Sequence, residues 1–124
     1  LVSNNSEIAG NTAPGGAGAG LLNHGDSATL SKTVVAGNTA PNDGTDDGFG
    51  GGIANANFGL PSTPLVALTL NNSHVTGNSA SGGGGGIFNA DFGGPTTVTL
   101  NHTQVTGNTP DNCEPPGTVG GCAG

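Results

Sequence analysis

The sequence predicts an all-β fold in which short parallel strands stack into a β-solenoid of about four rungs. Three observations support this prediction. Only 31% of the 124 residues are hydrophobic and 7% are charged, with 26 glycines and no Trp, Tyr or Met. A Gly-Asn pair recurs four times, and apolar residues near each pair alternate with polar ones. Such a chain cannot bury an ordinary globular core, and its low charge favours repetition over disorder.

The Gly-Asn pairs anchor a repeated frame in which a β-branched residue precedes each glycine by two positions. The pairs are Gly10-Asn11, Gly37-Asn38, Gly77-Asn78 and Gly107-Asn108, and the β-branched residues are Ile8, Val35, Val75 and Val105. Period-two alternation within runs this short indicates strands, and no stretch has helical spacing. Because isolated short strands are unstable, each one is expected to stack in parallel on its equivalent in the next rung.

Two further inward ladders are predicted from the same alternation. One consists of Leu30, Leu70 and Leu100, and the other of Leu21, Ile53 and Ile87. Two positions after each member of the second ladder stands an asparagine: Asn23, Asn55 and Asn89. Parity points these amides inward, so they need partners, and we expect an amide ladder or bonds to corner carbonyls.

The Gly-Asn pairs are predicted to form the corners between strands, because Gly and Asn both tolerate left-handed backbone dihedrals. On this hypothesis, valine at Gly37, Gly77 or Gly107 destabilises the protein more than changes within residues 43–47 do.

The two cysteines, Cys113 and Cys122, lie in a Pro- and Gly-rich tail and are predicted to form a local disulfide. This pairing implies an oxidising compartment. Residues 1–109 are expected to form the rungs, and residues 110–124 a cap on the last one. The first rung, Leu1 to Ile8, has no such cap, so we expect an open edge through which the protein self-associates or meets upstream rungs.

Two motifs connect the chain to a known family. The segments Gly85-Gly86-Ile87-Phe88-Asn89 and Asn72-Ser73-His74-Val75-Thr76-Gly77-Asn78 resemble the signatures of polymorphic-outer-membrane-protein-type repeats. The tail around Cys113 and Cys122 resembles the C-terminal end of secreted actinobacterial members. The resemblance covers nearly the whole chain and implies a right-handed parallel β-helix in a secreted or cell-surface protein. It is specific for fold and carries little information on function.

Charge and residue types argue against several function classes. The net charge is −7, and Lys32 is the only cationic residue besides three histidines, which argues against nucleic acids and anionic membranes. No apolar run is long enough to span a bilayer. The carboxylates do not recur at equivalent strand positions, so no catalytic pair and no cofactor are predicted. Asp43, Asp46 and Asp47 form a weak calcium candidate within a loop that is more simply interpreted as a solvated insertion.

These observations favour a non-catalytic structural or binding module of an extracellular protein, a rigid rod with loops for recognition. The loops Pro41–Phe49 and Phe58–Pro64 project most, so Asp43, Asp46, Asp47 and Phe58 are the candidate contacts for an unknown protein or glycan. Two alternatives stay open. One is an ice-binding solenoid that uses stacked threonines such as Thr29, Thr69 and Thr99. The other is the tail of a β-helical carbohydrate-active enzyme with its active rungs upstream.

Overall fold

The computed structural model describes residues 1–59 and 64–124, and every regular element in those ranges is a β-strand. The strands are β1 (Val2–Asn4), β2 (Glu7–Ala9), β3 (Leu21–His24), β4 (Ser27–Ser31), β5 (Val34–Ala36), β6 (Thr39–Ala40), β7 (Ile53–Asn57), β8 (Val66–Asn71), β9 (His74–Thr76), β10 (Ser79–Ala80), β11 (Ile87–Asp91), β12 (Thr96–Asn101), β13 (Gln104–Thr106) and β14 (Cys113–Glu114). The predicted all-β class is confirmed.

The strands form three four-stranded parallel sheets and one short parallel pair. Sheet A has the order β1-β4-β8-β12, sheet B the order β13-β9-β5-β2, and sheet C the order β14-β11-β7-β3. The short pair is β6 with β10. Along the chain, a strand of sheet A is followed by one of sheet B and then one of sheet C, and this cycle occurs four times.

Side chains at equivalent positions lie next to one another across each sheet. In sheet B, Ile8 pairs with Val35, Val35 with Val75, and Val75 with Val105, all in parallel register. Sheet A aligns Leu30, Leu70 and Leu100, and sheet C aligns Leu21, Ile53 and Ile87. Most of these residues are fully buried and form one core between the sheets. The predicted parallel pairing is confirmed.

The Gly-Asn pairs differ from their predicted role in one respect. The glycines take left-handed φ values of 68°, 63°, 65° and 66° at Gly10, Gly37, Gly77 and Gly107, but the asparagines after them do not. Asn11, Asn38, Asn78 and Asn108 are therefore not left-handed corner residues. Their side chains instead make hydrogen bonds between neighbouring units. A second left-handed corner, which the sequence analysis did not predict, lies between sheets A and B at Asn5, Lys32, Asn72 and His102, with φ of 47–50°.

The two ends of the described chain differ in how their sheets terminate. At the start, β1 and β2 are edge strands of sheets A and B, and Leu1 and Val2 are 66% and 72% exposed. At the other end, β14 pairs with β11 and extends sheet C. The predicted Cys113–Cys122 disulfide is present, and Val119 from the same tail is buried in the core.

Residues 1–59 and 64–124 contain no helix with the length and hydrophobicity needed to cross a membrane.

Candidate functional site

The Gly-Asn asparagines form a hydrogen-bonded ladder inside the protein. The Oδ1 atom of Asn78 accepts hydrogen bonds from the backbone N–H and from Nδ2 of Asn38, at 3.0 and 2.9 Å. Asn38 accepts the same pair of bonds from Asn11, and Asn108 accepts them from Asn78. Asn112 of the tail accepts the last pair, from Asn108. The ladder therefore links four successive units to the tail.

A second amide ladder runs through sheet C, at the positions where the sequence places inward asparagines. Nδ2 of Asn23 donates to Oδ1 of Asn55 at 2.7 Å, and Nδ2 of Asn55 donates to Oδ1 of Asn89 at 3.0 Å. Nδ2 of Asn89 donates to the carbonyl of Thr118 in the tail at 3.3 Å. Among the described residues, no buried side-chain nitrogen or oxygen lacks a partner. Because these amides are buried and satisfied, they stabilise the stack and do not offer a ligand site.

All the aromatic residues of the chain lie together on the outer side of sheet C. The chain has four phenylalanines and no Trp or Tyr. Phe49 contacts Phe88, Phe88 contacts Phe92, and Phe92 stacks on Phe58, with ring centroids 4.8, 6.4 and 5.2 Å apart. The ring of His24 meets Phe58 edge-on at 4.7 Å. We call these five residues the aromatic surface.

Two equivalent turns position the stacked rings of Phe58 and Phe92. Phe58 follows directly after β7 and Phe92 directly after β11, and each is followed by a glycine with positive φ. Oδ1 of Asn57 accepts a hydrogen bond from the N–H of Gly59, and Oδ1 of Asp91 accepts one from Gly93, at 3.0 and 2.9 Å. Since the two turns have the same hydrogen bond and lie on paired strands, their rings stack with an interplanar angle of only 11°.

The aromatic surface contains a groove with a volume of about 310 Å³. Alternation along β7 points Ala54 and Ala56 away from the core, yet both are buried. Ala56 lines the groove together with Phe49, Phe58, Phe88 and Phe92. Phe58 and Phe92 remain 49% and 55% exposed. Large apolar groups exposed this far and grouped together typically mark an interaction site.

The loop of residues 41–48 brings acidic side chains to this groove. Asp46 and Asp47 line it together with Gly15, Gly16 and Ala17. The loop is ordered by its own hydrogen bonds: Oδ1 of Asp43 accepts from the N–H groups of Thr45 and Asp46, both at 2.8 Å. Nδ2 of Asn42 donates to Oδ1 of Asp47 at 2.9 Å. The backbone donors of Asp46 and Thr45 lower the pKa of Asp43 below its ordinary value.

The structure does not bring these acids together as a metal site. Oδ1 of Asp43 is occupied by backbone donors, and Asp43 does not line the groove with Asp46 and Asp47. Within the described parts of the chain, no group of three His, Cys, Asp or Glu residues is placed to hold a metal ion. Of the second predicted contact loop, Phe58–Pro64, residues 60–63 lie outside the described residues, and Phe58 belongs to the aromatic surface.

The threonines of the ice-binding alternative lie on sheet A, on adjacent strands. Thr29 pairs with Thr69, and Thr69 with Thr99, but the first position of this rank is occupied by Val2. The rank in sheet B is also mixed, since Thr76 and Thr106 continue into Ala36. Both ranks are short and carry substitutions, and the ice-binding alternative stays a prediction.

Sequence reasoning identified Phe58 and the acidic loop but missed three members of the groove: Phe49, Phe88 and Phe92. The sequence contained a signal for Phe88 and Phe92. The segments Ile53-Ala54-Asn55-Ala56-Asn57-Phe58-Gly59 and Ile87-Phe88-Asn89-Ala90-Asp91-Phe92-Gly93 align without a gap, so Phe58 and Phe92 occupy the same position of the frame. Phe88 follows an inward residue and must point outward. For Phe49, which lies in a loop before β7, no local pattern indicated this contact.

Comparisons with known proteins give no information on the role of this surface. No family model matches the chain, and no curated protein or solved structure is significantly similar to it.

Proposed function

We propose that the chain is a non-catalytic binding module of a secreted or cell-surface protein, and that the aromatic surface is its recognition site. The observation that carries this proposal is the grouping of all four phenylalanines, two of them about half exposed, around one groove. Aromatic side chains are enriched at binding sites.

We propose further that the scaffold is a right-handed parallel β-helix. The fourfold A-B-C order of strands supports a helical path, since the chain returns to each sheet one strand further along every time. Parallel strands joined by a crossover are right-handed in about 98% of cases, which supports the handedness. A crystal structure that showed a left-handed path would contradict this part of the proposal.

The tail is proposed to cap the last unit. Both asparagine ladders end on it, one at the side chain of Asn112 and one at the carbonyl of Thr118. Its disulfide half-cystine Cys113 packs in the core with Val119. A disulfide in a chain with no other cysteine supports an oxidising, extracellular location.

Self-association through the first unit also remains a proposal. Within the 124 residues, β1 and β2 are edge strands, and an edge strand can pair with another chain. Sedimentation of the 124-residue chain is expected to show concentration-dependent association. A monomer with a fully exchange-protected first unit would contradict it.

The recognition role is tested by the double variant Phe58→Ser/Phe92→Ser, compared with Val34→Ser. Val34 is an exposed apolar residue on sheet B, 38% accessible, and serves as the control for lost surface hydrophobicity. Each protein is screened by saturation-transfer NMR against neutral oligosaccharides, peptides and organic cations. We expect at least one class to bind the parent and Val34→Ser proteins and to lose binding in the double variant.

Stability separates recognition from a structural role. Because Phe58 and Phe92 are half exposed, the double variant should retain its circular dichroism and melt close to the parent. If the double variant unfolds and Phe58→Leu/Phe92→Leu binds as the parent does, the two rings have a packing role and not a recognition role. A screen in which no class contacts the aromatic surface would refute the proposed function.

A further inference from the structure

The groove of the aromatic surface combines apolar walls with carboxylates, and we propose that it binds a small alkylated ammonium compound. The inference rests on the proposed function, since it names the ligand class of the same surface. The compound is a free cation whose charge is spread over methyl groups, as in a trimethylammonium group.

The walls of the groove fit the methyl groups of such a cation. Phe49, Phe58, Phe88 and Phe92 provide phenyl surface, and Ala56 lies beside them. Phenyl rings attract cations through the negative potential of their faces, and alkylated ammonium groups are the ligands most often recognised in this way. The rings are not all parallel: Phe88 is tilted by 38° against Phe49 and by 41° against Phe92. The groove therefore offers ring surface in more than one orientation.

The charges around the groove favour a cation over other small molecules. Asp46 and Asp47 line it, and the protein carries a net charge of −7 with no arginine. The single lysine, Lys32, lies at the corner between β4 and β5 and does not contribute to the lining. An anionic ligand would be repelled by this field, whereas a cation would be attracted.

The side chains of the lining offer a sugar hydrogen-bond acceptors but no donors. A neutral sugar presents hydroxyl groups that both donate and accept, and sites for such ligands place donors and acceptors against them. The lining side chains are those of Ala, Phe and Asp, so none carries an N–H or O–H group and the carboxylates only accept. An alkylated ammonium group has no hydrogen-bonding demand that this lining leaves unmet. The volume of about 310 Å³ is at the small end of ligand sites, which favours a free compound over a folded partner.

The test uses choline and its uncharged analogue of the same shape, 3,3-dimethylbutan-1-ol. Both are titrated into the ¹⁵N-labelled 124-residue chain, and the amide shifts around the groove give the dissociation constants. We expect choline to bind at least about fivefold more tightly than the neutral analogue, because only choline gains cation–π and carboxylate attraction. Its binding should weaken as salt is added, because the carboxylates are exposed.

Matched variants assign the effect to the groove. Asp46→Asn/Asp47→Asn removes two charges from the lining, and Glu7→Gln/Asp26→Asn removes two exposed charges elsewhere. Only the first pair should weaken choline binding and abolish the preference over the neutral analogue. Phe58→Leu/Phe92→Leu keeps the apolar surface but removes two rings, and should weaken choline binding about two- to fivefold.

Several outcomes would overturn the proposal. Equal affinity for the two probes would show that the groove is merely apolar. Absence of binding by choline, with binding of a sugar or a neutral peptide at the same rings, would leave the proposed function standing and refute the ligand class. Binding of phosphatidylcholine vesicles or of a trimethyllysine peptide, without binding of free choline, would refute a free compound as the ligand. Equal losses in both charge variants would assign the effect to net charge alone.

Discussion

Replacing Asn78 by alanine removes the central amide of the ladder that links the Gly-Asn units. Asn78 is 1% exposed, and its Oδ1 accepts both the backbone N–H and Nδ2 of Asn38. Its Nδ2 donates to the carbonyl of Val35 at 2.9 Å and to Oδ1 of Asn108 at 3.0 Å. After substitution, the backbone N–H of Asn38 is left buried without its acceptor.

The expected loss in the free energy of unfolding follows from these hydrogen bonds. A buried N–H without a partner costs about 1–3 kcal/mol, and each further hydrogen bond lost contributes about 0.5–1.5 kcal/mol. With Asn78 losing its bonds to Val35, Asn108 and Nδ2 of Asn38 as well, the free energy of unfolding should fall by about 5 kcal/mol, within a range of about 2.5–7.5 kcal/mol. Asn11 is the matched control, because it holds the same position of the frame at the exposed end of the ladder and its side chain makes one bond, to Asn38. Asn11→Ala should reduce the free energy of unfolding by about 1 kcal/mol or less.

Urea unfolding followed by far-ultraviolet circular dichroism measures both variants, since the chain has no Trp or Tyr for fluorescence. The reasoning would be refuted if the two substitutions, Asn78→Ala and Asn11→Ala, lowered the free energy of unfolding by amounts that agree within about 1 kcal/mol. The ladder would then stabilise the protein no more than a surface amide does.

Three further predictions concern glycines, the tail and the acidic loop. Gly52→Ala should destabilise the protein more than Gly77→Ala. A Cβ at Gly52 would lie 2.6 Å from the carbonyl oxygen of Gly86. At Gly77 the added Cβ meets no close contact, and the strain of the left-handed φ costs about 1–2 kcal/mol. Equal melting temperatures would contradict this. Reducing the disulfide should lower the free energy of unfolding by about 2–3 kcal/mol, measured by urea titration with and without reductant. The pKa of Asp43, followed by NMR, should lie below the ordinary value of an aspartate, and because it is lowered in the folded protein, the stabilising contribution of Asp43 is present above the unfolded pKa and is lost as pH falls through the folded one. A pKa for Asp43 at the ordinary value of an aspartate would refute the turn.

Some glycines are explained by the local sequence pattern, and others only by contacts with neighbouring units. Their left-handed φ at Gly77 and its equivalents follows from the Gly-Asn frame, because only a residue without Cβ takes this conformation without strain. The glycines before β7 have a different reason, which involves other units. A Cβ at Gly52 would also come within 3.0 Å of Nδ2 of Asn78, so the glycine is required by the ladder of the next unit.

The sequence by itself determined the strand period, the parallel register and the inward ladders. These features depend on residues that recur at the same position of the repeated frame, such as Val35 and Val75, and on the two-residue alternation of strands. It also determined that Cys113 and Cys122 are close enough to pair, because few residues separate them.

Only the tertiary structure decided what the outer face of sheet C presents. Phe88 comes from a strand and Phe92 from a turn, whereas Asp46, Asp47 and Phe49 come from the connection between β6 and β7. These neighbours do not share one position of the repeated frame, because they come from a strand, a turn and a loop of variable length. Burial restricts inward positions mostly to apolar residues, whereas outward positions are not restricted in this way, so their sequence pattern is irregular. The groove therefore arises from stacking of the units, which brings together residues that local periodicity does not relate.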